Sequence, residues 1–340
     1  MADYAFQRNE TFGYAQEAAY NEAWGTPTLL GMHFLNVDFK PNIEIIKSAH
    51  MTGRPESVVL DHCQGVRNYA FTIKMRMPKE CLAGLMLSAL GKVTTTGASS
   101  PYTHTFVPSI TAGYPCSLKL QYRQPLNAAE SCWQLSGAKV KSMLFEFNAA
   151  SGCLLTVEFV GGTWAKAAAL GTAPTILMPA GTENPFWSFS NVASMFPQFG
   201  TIEGGFCSCQ LKIENIFAED LEDSYELGSH ERIRLERSGD NCIKITGTLK
   251  RLLKDNTVHG YWDTFYDAGF SIRSTSGAIY MLQIKTAGDL ILNQPTRIPR
   301  AAKGLIEETI DFESLYDLDV AAGIEITIKD SQATPATQGS

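Results

Sequence analysis

Between Lys139 and Gly162 the chain alternates apolar and polar residues twice over. Met143, Phe145 and Phe147 fall on one side and Ser142 and Glu146 on the other; then Cys153, Leu155, Val157 and Phe159 oppose Thr156 and Glu158. A period of two is that of a half-buried strand, one face on a core and one polar. Between the arms, NAASG (Asn148 to Gly152) supplies the small, conformationally tolerant residues of a tight reversal, so the segment predicts a β-hairpin.

The same alternation recurs in an order that repeats along the chain. FLNVDFK (Phe34 to Lys40) sets Leu35, Val37 and Phe39 on one face, and SCQLKIE (Ser208 to Glu214) does so with Cys209, Leu211 and Ile213. Each precedes a long polar stretch, KSAHMTGRPES or AEDLEDSYELGSHER, longer than a hairpin requires. NYAFTIKMRM (Asn68 to Met77) is matched by CIKITGTLK (Cys242 to Lys250). Both lead toward a short helix ending in glycine: PKECLAGLMLSALG, with Pro78 in the first turn and Gly91 as the stop, and KDNTVHGYWDTFYDAG, stopped by Gly269. SLKLQY (Ser117 to Tyr122) and YMLQIK (Tyr280 to Lys285) follow, and the second half ends on a hairpin expected to twin the first, Gly304 to Ser314 turning back into Ile324 to Asp330.

This order predicts a mainly β protein of two tandem β-sandwiches, each of about six strands with one short helix. The expected boundaries are an N-terminal arm over 1–20, a first sandwich over 21–164, a linker or exchanged arm over 165–185, a second sandwich over 186–330 and a tail over 331–340. The Ala-, Gly-, Thr- and Pro-rich run AKAAALGTAPTILMPAGTENP marks the linker, and both terminal segments are expected to order only against a partner.

At 340 residues and 44% hydrophobic, the chain can bury a substantial core. It has no uninterrupted apolar run of membrane-spanning length, and MADYAFQRNE lacks the pattern of a secretory signal, so a place in the cytoplasm of the cell that makes it is expected. The eight cysteines lie mostly within alternating segments and read as buried free thiols. A net charge of −7 argues against tight phosphate binding, while suiting a surface that DNA must slide past.

No phosphate loop, nucleophile elbow or zinc-protease motif occurs, so no catalytic, cofactor-binding or metal-binding residue is assigned and no enzyme is expected. Cys207 and Cys209 read as a strand pair pointing into the core; Asp61, His62 and Cys63 as a loop; His104 as a solvated or hydrogen-bonded strand residue without a catalytic partner; Trp187, Phe189, Phe196 and Phe199 as core or subunit-contact aromatics. Polar strand faces, long loops and open sheet edges suit a subunit that contacts copies of itself.

The order of elements is similar to that of the tail tube proteins (major tail proteins) of long-tailed bacteriophages, in a duplicated form. The resemblance spans nearly the whole chain and rests on GTPTLLG, CQGVRNYAFTIKMRMP, the ALG stop at Ala89 to Gly91, YTHTF before SLKLQY, LKIEN and SGDNCIKITGTL. It implies a structural virion protein, made in the host cytoplasm and located in the phage tail. Its rings stack into a tube, a sheet from each domain joins its neighbours in a β-barrel lining a DNA-ejection channel, and the helix lies outside. A duplicated chain would form trimers with pseudo-sixfold symmetry. Implied partners are copies of itself, the tape-measure protein within the tube, tail terminator and distal-tail or baseplate proteins at its ends, and genomic DNA passing without specific binding.

Carried onto this chain, the ring-to-ring loops are Lys47 to Gly65 and Glu219 to Gly239, with Arg54, Glu56, Glu219, Asp220, Glu222, Asp223, Arg232 and Arg234 as contacts. Lumen-facing candidates are Glu146, Thr156 and Glu158 in one half and Glu307, Asp311 and Glu325 in the other, with Lys74, Arg76, Lys244 and Lys250 pointing to a lining of mixed charge. A distal-tail or baseplate ring protein and the tube of a contractile secretion machine share these features. A carbohydrate-binding adhesin sandwich is the alternative from another class.

Overall fold

Alternating segments become long antiparallel strands. The computed structural model describes residues 10–50, 58–109, 116–124, 131–148, 152–167, 173–179, 184–187, 196–199, 202–203, 206–217, 232, 235, 243–252, 269–286, 290–292, 307–314 and 322–335. Over these residues the protein is mainly β, with one α-helix among them.

The backbone of the architecture is an eight-stranded antiparallel sheet. In spatial order it runs β3 (Asn36–His50), β4 (Val58–Arg76), β9 (Gly152–Gly161), β8 (Ser131–Asn148), β14 (Phe206–Asn215), β15 (Ile243–Leu252), β19 (Glu307–Ser314) and β18 (Leu290–Leu292). The hairpin expected over 139–162 is its centre: Asn148 opposes Gly152, and Met143, Phe145, Phe147, Leu155, Val157 and Phe159 are all buried.

Two further layers cover the apolar face of this sheet. β8 is long enough to serve two layers, and its first residues pair instead with β7 (Leu118–Gln124) and β10 (Thr163–Lys166). β1 (Thr11–Gln16), β2 (Leu30–Met32) and β11 (Thr175–Ile176) extend that layer. Gly137 lies at the changeover with φ +70°, a conformation that suits glycine, and its N–H donates to Glu17 Oε1 at 2.9 Å. Burial raises the Glu17 carboxyl above its ordinary range, partly offset by hydrogen bonds to it. The layer folds back on β3 and β4: Phe12 stacks on Phe71 at 5.2 Å, and Phe39 packs against Trp133 and Trp164 at 5.9 and 6.0 Å.

Over the other half lies a second sheet, ordered β13 (Ile202–Glu203), β12 (Phe196–Phe199), β16 (Phe270–Ser276), β17 (Tyr280–Thr286), β20 (Ile324–Asp330), β6 (Tyr102–Pro108) and β5 (Gly91–Thr96). Phe270 of this sheet packs on Phe312 of β19 at 5.3 Å. Helix α1 (Leu82–Leu90) is almost wholly buried beside β5, β6 and β8. Gly91 ends it in the left-handed region at φ 92°, returning its N–H to Leu87 O.

Several expectations are corrected. Pro78 is not in the first helical turn; it forms an isolated bridge to Phe186, and the helix begins four residues later at Leu82. The N-terminal arm includes β1, an interior strand whose Phe12 and Tyr14 are fully buried, because its alternation fills a gap between β2 and β7. Residues 331–335 of the tail are also placed: Ser331 and Gln332 donate to the buried carboxylate of Glu80. β19 and β20 do not form the expected twin hairpin but lie in different sheets, and β18 pairs with β19 instead. Asp61 to Cys63 lie in β4 rather than in a loop. Cys207 is exposed while Cys209 is buried, because a register shift between Phe206 and Ser208 breaks the alternation. Trp187 is buried, whereas Phe189 and the second expected helix lie outside the described residues.

The two halves of the sequence share both sheets. β14 pairs with β8, and the β5–β6 hairpin pairs with β20 across the 165–185 segment. His104 seals that second seam. It is fully buried, with Nδ1 2.8 Å from Thr95 Oγ1 and Nε2 3.0 Å from Gln332 O and 3.3 Å from Asp330 Oδ1, so it has the buried carboxylate neighbour that sequence spacing did not reveal.

Candidate assembly interface

The outward face of the eight-stranded sheet is where most of the expected lumen residues meet. Register fixes its composition. Lys74 opposes Thr156, Thr156 opposes Leu144, Leu144 opposes Lys212, and Lys212 opposes Thr246. In the adjacent row Asp38, Thr72, Glu158, Ser142, Glu214 and Lys244 follow one another across six strands. Glu146, Gln210, Thr248 and Asp311 form a third row.

Thus Glu146, Thr156, Glu158 and Asp311, drawn from both halves of the sequence, share one face with Lys74, Arg76, Lys244 and Lys250. Acid and base largely neutralise each other there. Lys74 Nζ is 3.1 Å from Glu146 Oε2, Lys212 Nζ is 2.9 Å from Glu214 Oε2, and Lys244 Nζ is 3.8 Å from Glu313 Oε2. Thr248 donates to Asp311 at 2.6 Å and Ser142 to Glu158 at 3.2 Å. Such a face is hydrophilic but holds its charges in pairs, which leaves little uncompensated potential to grip a polyanion.

Glu325 does not join it. Glu325 is on β20 in the other sheet, paired with Lys285 at 2.9 Å, because the strand that carries it crosses to a different layer. The side chain of Glu307 lies outside the described residues. Of the expected ring-to-ring contacts, Arg232 is a correction: it is buried and donates to Asn68 Oδ1 at 2.7 Å, where the chain folds back over the first half beside Val160 and Leu235. Arg54, Glu56, Glu219, Asp220, Glu222, Asp223 and Arg234 lie outside the described residues. Residues 47–50 and 58–65, expected as loop, belong to the β3–β4 hairpin, whose register runs from Asn36 opposite Lys74 out to His50 opposite Val58. β9 pairs only with Tyr69–Arg76, so among the described residues the outer part of this hairpin is a two-stranded ribbon projecting roughly 25 Å beyond the sheet, at about 3.3 Å per residue.

Among the described residues the two ends of the sheet are edges, β3 at one and β18 at the other. Both bear exposed apolar side chains: Leu35 beside β3 is 56% exposed and Ile291 in β18 is 45% exposed. Sequence patterning placed Leu35 on the apolar face of its strand, where the structure leaves it exposed, and missed Ile291, Lys212 and Glu214; the alternation of SCQLKIE contains the signal for the latter two but not for which strand they face. No protein-family model matches the sequence, and no curated protein matches it significantly.

Proposed function

We propose that the protein is a structural subunit that assembles with copies of itself into closed rings, with the polar face of the eight-stranded sheet lining a central channel, and that these rings stack as a phage tail tube through which DNA passes. One observation supports this most: among the described residues, a broad sheet with a hydrophilic, internally charge-paired face ends in two open edges, each bearing an exposed apolar residue. Open edges invite pairing, and a ring removes them. Three copies would join about 24 strands, a circumference of roughly 115 Å at about 4.8 Å per strand before tilt. That leaves a wide channel rather than a filled barrel. The projecting β3–β4 ribbon suits contact with the next ring, since an isolated two-stranded ribbon is marginal in water without something to pack on.

Negative-stain electron microscopy of the concentrated protein tests this. Stacked rings with a central channel and three copies per layer are expected; isolated particles at every concentration would overturn the proposal. Single unstacked rings would favour a baseplate ring. Reversing charge with Glu222→Lys and Asp223→Lys is expected to impair stacking while leaving the melting temperature nearly unchanged; normal stacking would remove these two residues from the contact.

A further inference from the structure

The eight-stranded sheet contains the same four-stranded unit twice, and the place where the two copies meet describes the place where two chains would meet. The first unit is β3, β4, β9, β8, and one row across it reads Asp38, Thr72, Glu158, Ser142. The second is β14, β15, β19, β18, and the matching row reads Lys212, Thr246, Glu313, Ile291. Order and pairing agree, and the two central positions of each row carry the same residue types, Thr and Glu.

At the internal seam Ser142 does not oppose Lys212, the counterpart of Asp38. It opposes Glu214, two residues further along. Each unit is therefore staggered by two residues against the next, and a sheet that closes on itself requires such a stagger. The seam also shows what pairing does to the edges. Ser142 is 8% exposed where its outer row neighbour is present, while its counterpart Ile291 is 45% exposed; Cys209 is 1% exposed while its counterpart Leu35 is 56% exposed.

We infer that the β18 edge of one copy pairs antiparallel with the β3 edge of the next in the register of the internal seam, placing Ile291 opposite Lys40 of the neighbouring copy. The partner is a second copy of this chain, and the inference rests on the ring proposal above. It adds which edges meet, in which direction and with which stagger. Pairing in this register carries the polar face without a step from one chain to the next and covers Ile291. A slip by one residue would turn every side chain of the joining strand to the wrong face, so the register is strongly selected.

Cross-linking in the assembled state tests it. Lys40→Cys with Ile291→Cys, in a Cys207→Ser background, is treated with a short bifunctional thiol reagent. Directly opposed positions have Cβ atoms about 4.5–5.5 Å apart, within such a reagent's reach. Ser142→Cys with Glu214→Cys calibrates the same geometry inside one chain and should yield a cross-linked monomer. The expected result is covalent oligomers from the first pair ending at trimer, and loss of that product for Asp38→Cys with Ile291→Cys, which is displaced by the stagger. Cross-linking of the displaced pair in preference to the first would overturn the register. Assembled rings in micrographs without cross-linking of either pair would overturn the choice of edges and leave the ring proposal standing. Absence of rings from parent and variants alike would overturn both.

Discussion

The first and second four-stranded units of the long sheet share a pairing scheme but fill it differently. Where Ile73 opposes Val157 in the first, Gly247 opposes Phe312 in the second, and a Cβ added at Gly247 would lie 2.2 Å from Phe312 Cζ. Volume has moved from one strand to its neighbour, and the ring of Phe312 occupies the space above the glycine. Where Met77 and Cys153 meet through a backbone hydrogen bond in the first unit, Arg251 and Glu308 form a buried ion pair at 2.7 Å in the second. Backbone register is thus shared by the two units while the side chains that fill it differ, each pair remaining complementary.

The ion pair is the place to break the comparison most severely. Glu308→Ala leaves the Arg251 guanidinium buried without its carboxylate and is expected to cost about 3–5 kcal/mol. Installing the first unit's pair, Arg251→Met with Glu308→Cys, should recover most of that loss in chemical denaturation; equal destabilisation by the single and double variants would contradict the equivalence. Next in size is the internal seam. Leu211→Ala, at a fully buried position where β14 meets β8, should cost about 2–5 kcal/mol. Ile291→Ala, at the β18 edge, should change the stability of the dilute chain by no more than about 0.5 kcal/mol while weakening assembly. A large loss from Ile291→Ala in the dilute chain would mean that this edge is already satisfied within the monomer.

Gly247→Ala sharpens the comparison of volumes. Overpacking against Phe312 should cost about 1–3 kcal/mol, and Phe312→Leu in the same chain should relieve part of it, measured as a non-additive double-mutant cycle. Additivity would show that the two sites do not share the space. The smallest effect is expected on the polar face: Lys74→Ala removes a half-exposed partner of Glu146 and should shift stability by about 0.2–1 kcal/mol, less at high salt. Thermal melts at two ionic strengths are sufficient to check it.

What was legible in the sequence follows from what alternation encodes. It reports which face of a strand is buried, so the core positions of 139–162 and the helix stop at Gly91 could be read directly. It does not report the neighbour of a strand. Nothing in Ile324 to Asp330 distinguishes a return beside β19 from a crossing to β6, because both bury Ile324, Ile326 and Ile328 equally well. The same gap hid the insertion of β1 between β2 and β7. The candidate face was half legible for the same reason: Glu146, Thr156 and Glu158 are fixed by one hairpin, whereas their union with Lys212, Glu214 and Asp311 depends on the β8–β14 seam. Arg232 defeated composition because a charged residue in a polar stretch gives no sign of the Asn68 acceptor, so distant in sequence.

The β8–β14 seam is the proposed template for the contact between copies. Hydrogen–deuterium exchange, comparing the dilute chain with the same protein after assembly, tests it most directly. New amide protection is expected in β3 and β18 on assembly, with unchanged protection in β8 and β14, which are already paired. Assembly that leaves β3 and β18 as exchangeable as before, with protection gained on some other surface, would contradict it.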